Sequence, residues 1–209
     1  MVEISYQGQK RTRSEFERDL HRLEQDCLRM GALVENSFLL AHVALFERDI
    51  ESAMRIDAQD RQIDQIYRQI EIDCINLIAV QSPVARDLRL LSALMQLIRD
   101  IERIGDYAEN LGEIAIKLFP YSPSPYLGEL QVMFHRSRAM LAMSLEALAN
   151  LDAKIGLQIK TKDDAVDDDY KHIYDLLASQ KPFGAVSYTH LRAHETGRKL
   201  VCRLLLEKK

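Results

Sequence analysis

The chain has 209 residues, 47% of them hydrophobic and 29% charged, which supplies a core and leaves room for one large or two small domains. Eight Gly, five Pro and no Trp favour long helices over sheet, and the odd count of three cysteines, with no CxxC pair, argues against a disulfide framework. The net charge of −4 hides an asymmetry: residues 184–209 carry six Lys/Arg against two acids, leaving −8 on residues 1–183, a balance that disfavours nucleic acid as a partner.

A first helix is predicted over 14–47, where Phe16, Leu20, Leu23, Cys27, Met30, Val34, Phe38, Ala41 and Leu45 recur at spacings of three and four. A second is predicted over 57–80, with Ile63, Ile66, Ile70, Cys74 and Leu77 on one face and Asp57, Asp60, Asp64 and Glu71 on the other. Ser82 and Pro83 read as a helix start, a capping hydroxyl followed by a ring fixed at helical φ. The third helix, about 83–118, is expected to pack through Leu91, Leu94, Ile98, Ile101, Gly105, Ala108 and Ala115. Gly105 and Ala108 would admit a close neighbour, which accounts for a glycine that costs about 1 kcal/mol in a helix interior. Residues 119–126, FPYSPSPY, read as a linker. A fourth helix follows along Leu127, Leu130, Met133, Ser137, Leu141, Ser144, Leu148 and Leu151, and a fifth runs from near Lys162 to before Pro182. No apolar run approaches the roughly 20 residues that span a bilayer, and the start of the chain lacks a signal-peptide stretch, so a cytoplasmic protein without membrane insertion is expected.

The two halves read as copies offset by 103 positions. Asp60, Ile63, Asp64, Tyr67, Arg68 and Ile70 map onto Asp163, Val166, Asp167, Tyr170, Lys171 and Ile173, and Asp49 maps onto Asp152. Matching apolar positions carry little weight at helical period, but the run DxxφDxxY(R/K)xI, with φ apolar, is harder to reach by chance. The same offset places a third helix of the second unit near Val186, with acids at 205 and 209; the sequence there has Leu205 and Lys209 instead. The strings VSYTHLRAHET and LVCRLLLEKK resemble translated sequencing adapter. Residues 184–209 are therefore set aside as a non-native tail. The expected organisation is all-α: a three-helix bundle over 1–119, a Pro-rich linker at 120–126, and a truncated second repeat of two helices over 127–183.

The chemistry is concentrated in the third helix. Glu102, Asp106, Glu109 and Glu113 fall within an arc of roughly 60° at about 100° per residue. Such a ridge repels itself and needs Arg/Lys, water or a multivalent cation to offset it. Beside Asp60 and Asp64 it forms an oxygen-rich patch suited to hard cations, iron or manganese. Without thiolate or imidazole it is poorly suited to structural zinc. The alternative is a solvated acidic face balanced by Arg99 and Arg103, each three residues before an acid. Arg86 and Arg89, in the first turns of the same helix, oppose the helix dipole. They read either as a contact for an acidic partner or anion, or as partners of a neighbouring helix's acid.

The stretch QSPVARDLRLLSALMQLIRDIERIGDYAENL closely resembles the PhoU family of phosphate-transport and phosphate-signalling regulators. The likeness rests on a (Q)xPxAxDLR helix start and an ExxxD helix reading (L/I)ERIGDxAxN, and it covers about residues 16–180. The resemblance implies a tandem repeat of antiparallel three-helix bundles. It also implies a negative regulator of phosphate uptake and phosphate-starvation signalling, acting as an adaptor between the phosphate ABC importer ATPase and a sensor histidine kinase, and a homodimer. It implies surface clusters of iron, zinc, manganese or magnesium. By position Glu102, Asp106, Asp60, Asp64 and Asn110 fall to the first cluster, and Asp163 and Asp167 to the second.

The rival readings are a helical metal-binding or scaffold protein outside phosphate signalling, and a carboxylate-metal enzyme. A di-iron oxidase needs ExxH pairs, and Asp169-x-x-His172 is the nearest approach. No GxxxxGK[ST] phosphate loop occurs. His21, His42, His135 and His172 are scattered, so no enzyme is expected.

Overall fold

A computed structural model describes the backbone of residues 2–178 and the side chains of residues 13–178. Among the described residues there are five helices and no strand: α1 Val2–Phe46, α2 Ile50–Gln81, α3 Arg86–Leu118, α4 Leu127–Ala149 and α5 Ala153–Ala178. Helices α1, α2 and α3 pack on one another as a three-helix bundle, and α4 and α5 form a hairpin that joins the bundle through α1 and α4. The expected tail at 184–209, and any counterpart of α3 there, lie outside the described residues.

The bundle core is the one the apolar spacing predicts. Phe16, Leu23, Cys27, Met30, Val34, Phe38 and Ala41 from α1 meet Ile63, Ile70, Cys74 and Leu77 from α2 and Leu91, Leu94, Ile98, Ile101 and Ala108 from α3. Cys27 and Cys74 are buried free thiols, pushed up to about 12 and about 11 chiefly by loss of water, so both behave as small hydrophobes. The stretch Arg13–Phe46 is long and apolar enough to cross a membrane by length and composition, contrary to the sequence expectation, and it supplies one wall of this core.

The linker at 119–126 falls where expected, between Leu118 and Leu127, but the other helix starts depart from expectation. Ser82 does not start α3. It ends α2 in the left-handed region (φ 46°, ψ 52°), its N–H bonded to the Ile78 carbonyl. Ala85 (φ 48°, ψ −106°) then leads into α3 with no side-chain cap. Helix α2 starts at Ile50, several residues before Asp57, because Asp49 caps it by accepting from the Glu51 and Ser52 N–H groups. Helix α5 starts at Ala153, well before Lys162, because Asp152 accepts from the Lys154 and Ile155 N–H groups at 2.8 and 3.4 Å.

These caps strengthen the case for duplication. Asp49 and Asp152 are 103 positions apart, and so are the residues before them, Arg48 (φ 60°) and Leu151 (φ 50°). A β-branched or bulky residue rarely adopts positive φ, so the same outlier at equivalent turns is a conformational signature of one ancestral unit. Buried Ile56, Ile63 and Ile70 likewise recur as buried Ile159, Val166 and Ile173.

Helix α4 differs most from its expected seam. Met140, absent from that seam, is its only fully buried residue. Leu151 lies beyond the helix, 80% exposed. Two rows run along α4 instead of one. Phe134, Leu141 and Leu148 lean on the bundle core, while Met133, Met140 and Ala147 pack with Ile155, Ile159 and Val166 of α5. Gly31 of α1 makes room for the Leu145 side chain at the same junction, where a Cβ would collide with it.

Candidate functional site

Helices α2 and α3 meet along their acid-bearing edges. Ile63 and Asp60 of α2 lie over Gly105 of α3: a Cβ at position 105 would sit 3.3 Å from the Ile63 Cδ1 and 3.5 Å from the Asp60 Oδ1. The Asp60 carboxyl therefore lies against α3 at Gly105, near Glu102, Asp106 and Glu109. The close backbone approach expected at Gly105 and Ala108 is found further along, at Gly112, where a Cβ would stand 3.3 Å from the Ala53 carbonyl oxygen.

The electrostatic consequence is pronounced. Burial, followed by the negative charges of Glu109, Asp106, Asp64 and Glu102, pushes the Asp60 carboxyl up to about 7. Burial is also the first cause raising Glu102, Asp106 and Glu109, with neighbouring carboxylates adding to it in each case. Arg103 pulls Glu102 and Asp106 partly back down without reversing either shift. Acids at the margin find partners one turn away: Asp57 with Arg61 at 2.6 Å, Asp64 with Arg68 at 2.5 Å and Glu113 with Lys117 at 2.9 Å. Among the described residues Asp60, Glu102, Asp106 and Glu109 make no ion pair, so Arg99 and Arg103 do not balance the ridge as salt-bridge partners.

The structure thus brings together Asp60, Asp64, Glu102 and Asp106. It adds Glu109, which the site assignment from sequence omits although its place on the 102–113 arc marks it. Asn110 is exposed, and its side-chain amide donates to the Asp106 carbonyl at 2.8 Å. Asp163 and Asp167 stand apart: they belong to α5, which packs on α4, and Asp163 is only 3% exposed.

The donor set is all oxygen, which suits magnesium, manganese or iron better than structural zinc. Its spacing is more open than a cage. Among the described residues no three His, Cys, Asp or Glu side chains come close enough together to hold a metal ion. What the geometry provides is a half-buried anionic ridge whose charges disfavour one another, and a cation or basic surface laid along it would relieve that cost.

Fold and ridge together define an all-α protein built from a duplicated helical unit, with carboxylates gathered where two of its helices meet. The chain belongs to the PhoU family: the PhoU domain matches residues 27–115 and again 130–191. It is 49% identical over 183 residues to the phosphate-specific transport system accessory protein PhoU homolog of Synechocystis sp., covering 88% of this chain and 82% of that protein. It is 33% identical to the Streptococcus pneumoniae homolog, over 81% of this chain and 80% of the relative. Among solved structures, PhoU from Pseudomonas aeruginosa superposes with a TM-score of 0.77 at 29% identity, over 91% of this chain and 98% of the other. The phosphate transport system regulatory protein PhoU from Streptococcus pneumoniae superposes with a TM-score of 0.72 at 28% identity, over 91% and 88%.

Proposed function

We propose that the protein is a non-catalytic accessory regulator of a phosphate-specific transport system, and that it restrains phosphate uptake and phosphate-starvation signalling by docking. The transport role is supported by relatives named as accessory proteins of that system. The finer reading is an adaptor between the importer ATPase and a sensor histidine kinase, working as a homodimer in the cytoplasm, with Asp60, Asp64, Glu102, Asp106 and Glu109 taking a divalent or trivalent cation. The observation that carries the cation reading is Asp60, lying against α3 among four other acids, its carboxyl pushed up to about 7 by burial first and then by their charges. A bound iron, manganese, zinc or magnesium ion would supply positive charge there. Asn110 would offer an amide oxygen, and Asp163 and Asp167 would serve the second unit. A second reading, a helical scaffold whose ridge receives a basic protein surface without metal, is favoured by the open spacing of the carboxylates.

The two readings separate in one experiment. Untagged protein is stripped with chelator and titrated with Mn²⁺ at pH 8, with free manganese followed by its paramagnetic resonance. Saturable uptake that falls at least tenfold in affinity in the Glu102→Gln/Asp106→Asn variant is expected. Uptake that is absent, or equal in both proteins, removes the cation site and leaves the scaffold. The adaptor role is checked by pull-down with the importer ATPase and the sensor kinase. Retention of neither would overturn it.

A further inference from the structure

The opposite end of the bundle carries the reverse character. Where α2 ends and α3 begins, Val80 is 78% exposed, Val84 76% and Leu88 41%, an unusual concentration of open aliphatic surface within nine residues. Arg86 and Arg89 stand among them, exposed. Among the described residues neither makes an ion pair. The only acid in that turn of α3, Asp87, is already taken by Arg13 of α1. The turn is fixed rather than loose: the Asp87 N–H donates to the Val84 carbonyl at 3.3 Å and the Arg89 N–H to the Ala85 carbonyl at 3.2 Å. Val84 is thus exposed beside these two cations, on a chain whose residues 1–183 are net acidic.

We propose that this tip, Val80, Val84 and Leu88 flanked by Arg86 and Arg89, is a docking surface for an acidic segment of a partner protein that carries apolar side chains. Charge complementarity selects the occupant. The cations need carboxylates, and the aliphatic patch needs apolar side chains interspersed with them. Two arginines are too few to hold an anionic membrane, and the acidic ridge along α2 and α3 would be repelled by it. This surface is independent of the phosphate-signalling reading and lies on different residues from the carboxylate ridge.

The test uses the full chain and two fluorescent synthetic helical peptides with the same leucine spacing, one bearing Glu at its polar positions and the other Gln, followed by anisotropy. Saturable binding of the Glu peptide alone is expected. It should weaken at least tenfold in Arg86→Glu/Arg89→Glu and in Val84→Asp, and stay unchanged in the charge-matched control Lys160→Glu/Lys162→Glu. Circular dichroism confirms that each variant is folded. Equal binding of the two peptides, or undiminished binding by the folded variants, overturns the proposal. Two further results would also overturn it: a concentration-dependent dimer lost in the arginine variant assigns the tip to a second copy, and arginine-dependent sedimentation with phosphatidylserine vesicles assigns it to lipid.

Discussion

Asp60 shows how one side chain can set the pH response of a helical bundle. Its carboxyl titrates near 7 in the folded chain against 3.8 when unperturbed, because burial and then Glu109, Asp106, Asp64 and Glu102 oppose its charge. Between those two values the folded state holds a proton that the unfolded state has released. Stability from this group is therefore greatest at low pH and is lost as pH rises toward 7. Glu102, Asp106 and Glu109 shift the same way and add to the slope. Asp60→Asn keeps the shape and removes the charge. Denaturant midpoints measured from pH 4.5 to 8 should show the variant more stable than the parent at pH 8, with the gap closing toward pH 4.5. A constant gap across that range would mean that Asp60 is not the titrating group. The four-acid arc on α3 was legible from spacing alone. Asp60 was placed beside that arc from sequence too, but its burial was not legible, because that depends on how α2 packs against α3, a tertiary event with no local signature.

At the scale of elements, what the sequence revealed depended on how many surfaces a helix serves. Helices α2 and α3 each turn one main stripe inward, and period identified most of their buried residues, with Ile56 and Ile104 among those it missed. Helix α4 serves two surfaces, α1 through Phe134, Leu141 and Leu148 and α5 through Met133 and Met140, and a single expected stripe blurred both. Ser137 and Ser144 fit this divided helix because their hydroxyls bond back to the Met133 and Met140 carbonyls at 3.0 and 2.8 Å, leaving no unmet polar group between the rows. Helix starts were misplaced for a different reason. A capping Asp was recognised as a repeat marker at 49 and 152 but not as the cap, while Ser82–Pro83 carried a stronger local cue. That cue lost to a left-handed C-cap on α2. Asp152→Ala should cost about 1 kcal/mol, the usual value of an N-cap, read as a lowered thermal midpoint and faster amide exchange in the first turn of α5. Exchange at the start of α2 serves as the internal reference, since its own cap, Asp49, is untouched. An unchanged first turn would show that packing on α4, rather than the cap, fixes where α5 begins.

Across the whole molecule, the hairpin of α4 and α5 reaches the bundle through a narrow aromatic seam, and that seam contains a titratable group. His42 of α1 lies 4.8 Å from the His135 ring, 5.8 Å from Phe134 and 5.0 Å from Phe46, centroid to centroid, with Gln131 3.1 Å from its Nε2. Burial first, then the His135 charge, lowers the His42 pKa below its ordinary 6.5; Arg138 lowers it further, and Glu47, 3.8 Å from Nδ1, pulls it partly back up. A histidine whose folded pKa is depressed contributes stability that is fully present above 6.5 and is lost as pH falls through the folded value. The seam should therefore loosen on acidification, while the Asp60 group gains stability on the same descent, so the two sites respond in opposite directions. Amide exchange resolves them spatially. From pH 7.5 to 5.5, after correction for intrinsic rates, protection along α4 should drop relative to α2 and α3. His42→Phe should abolish the drop, because it keeps an aromatic side chain in the seam and cannot take a proton. A drop that survives in His42→Phe would show that His42 is not the sensor, and a uniform change along all five helices would show that the hairpin and bundle open as one unit.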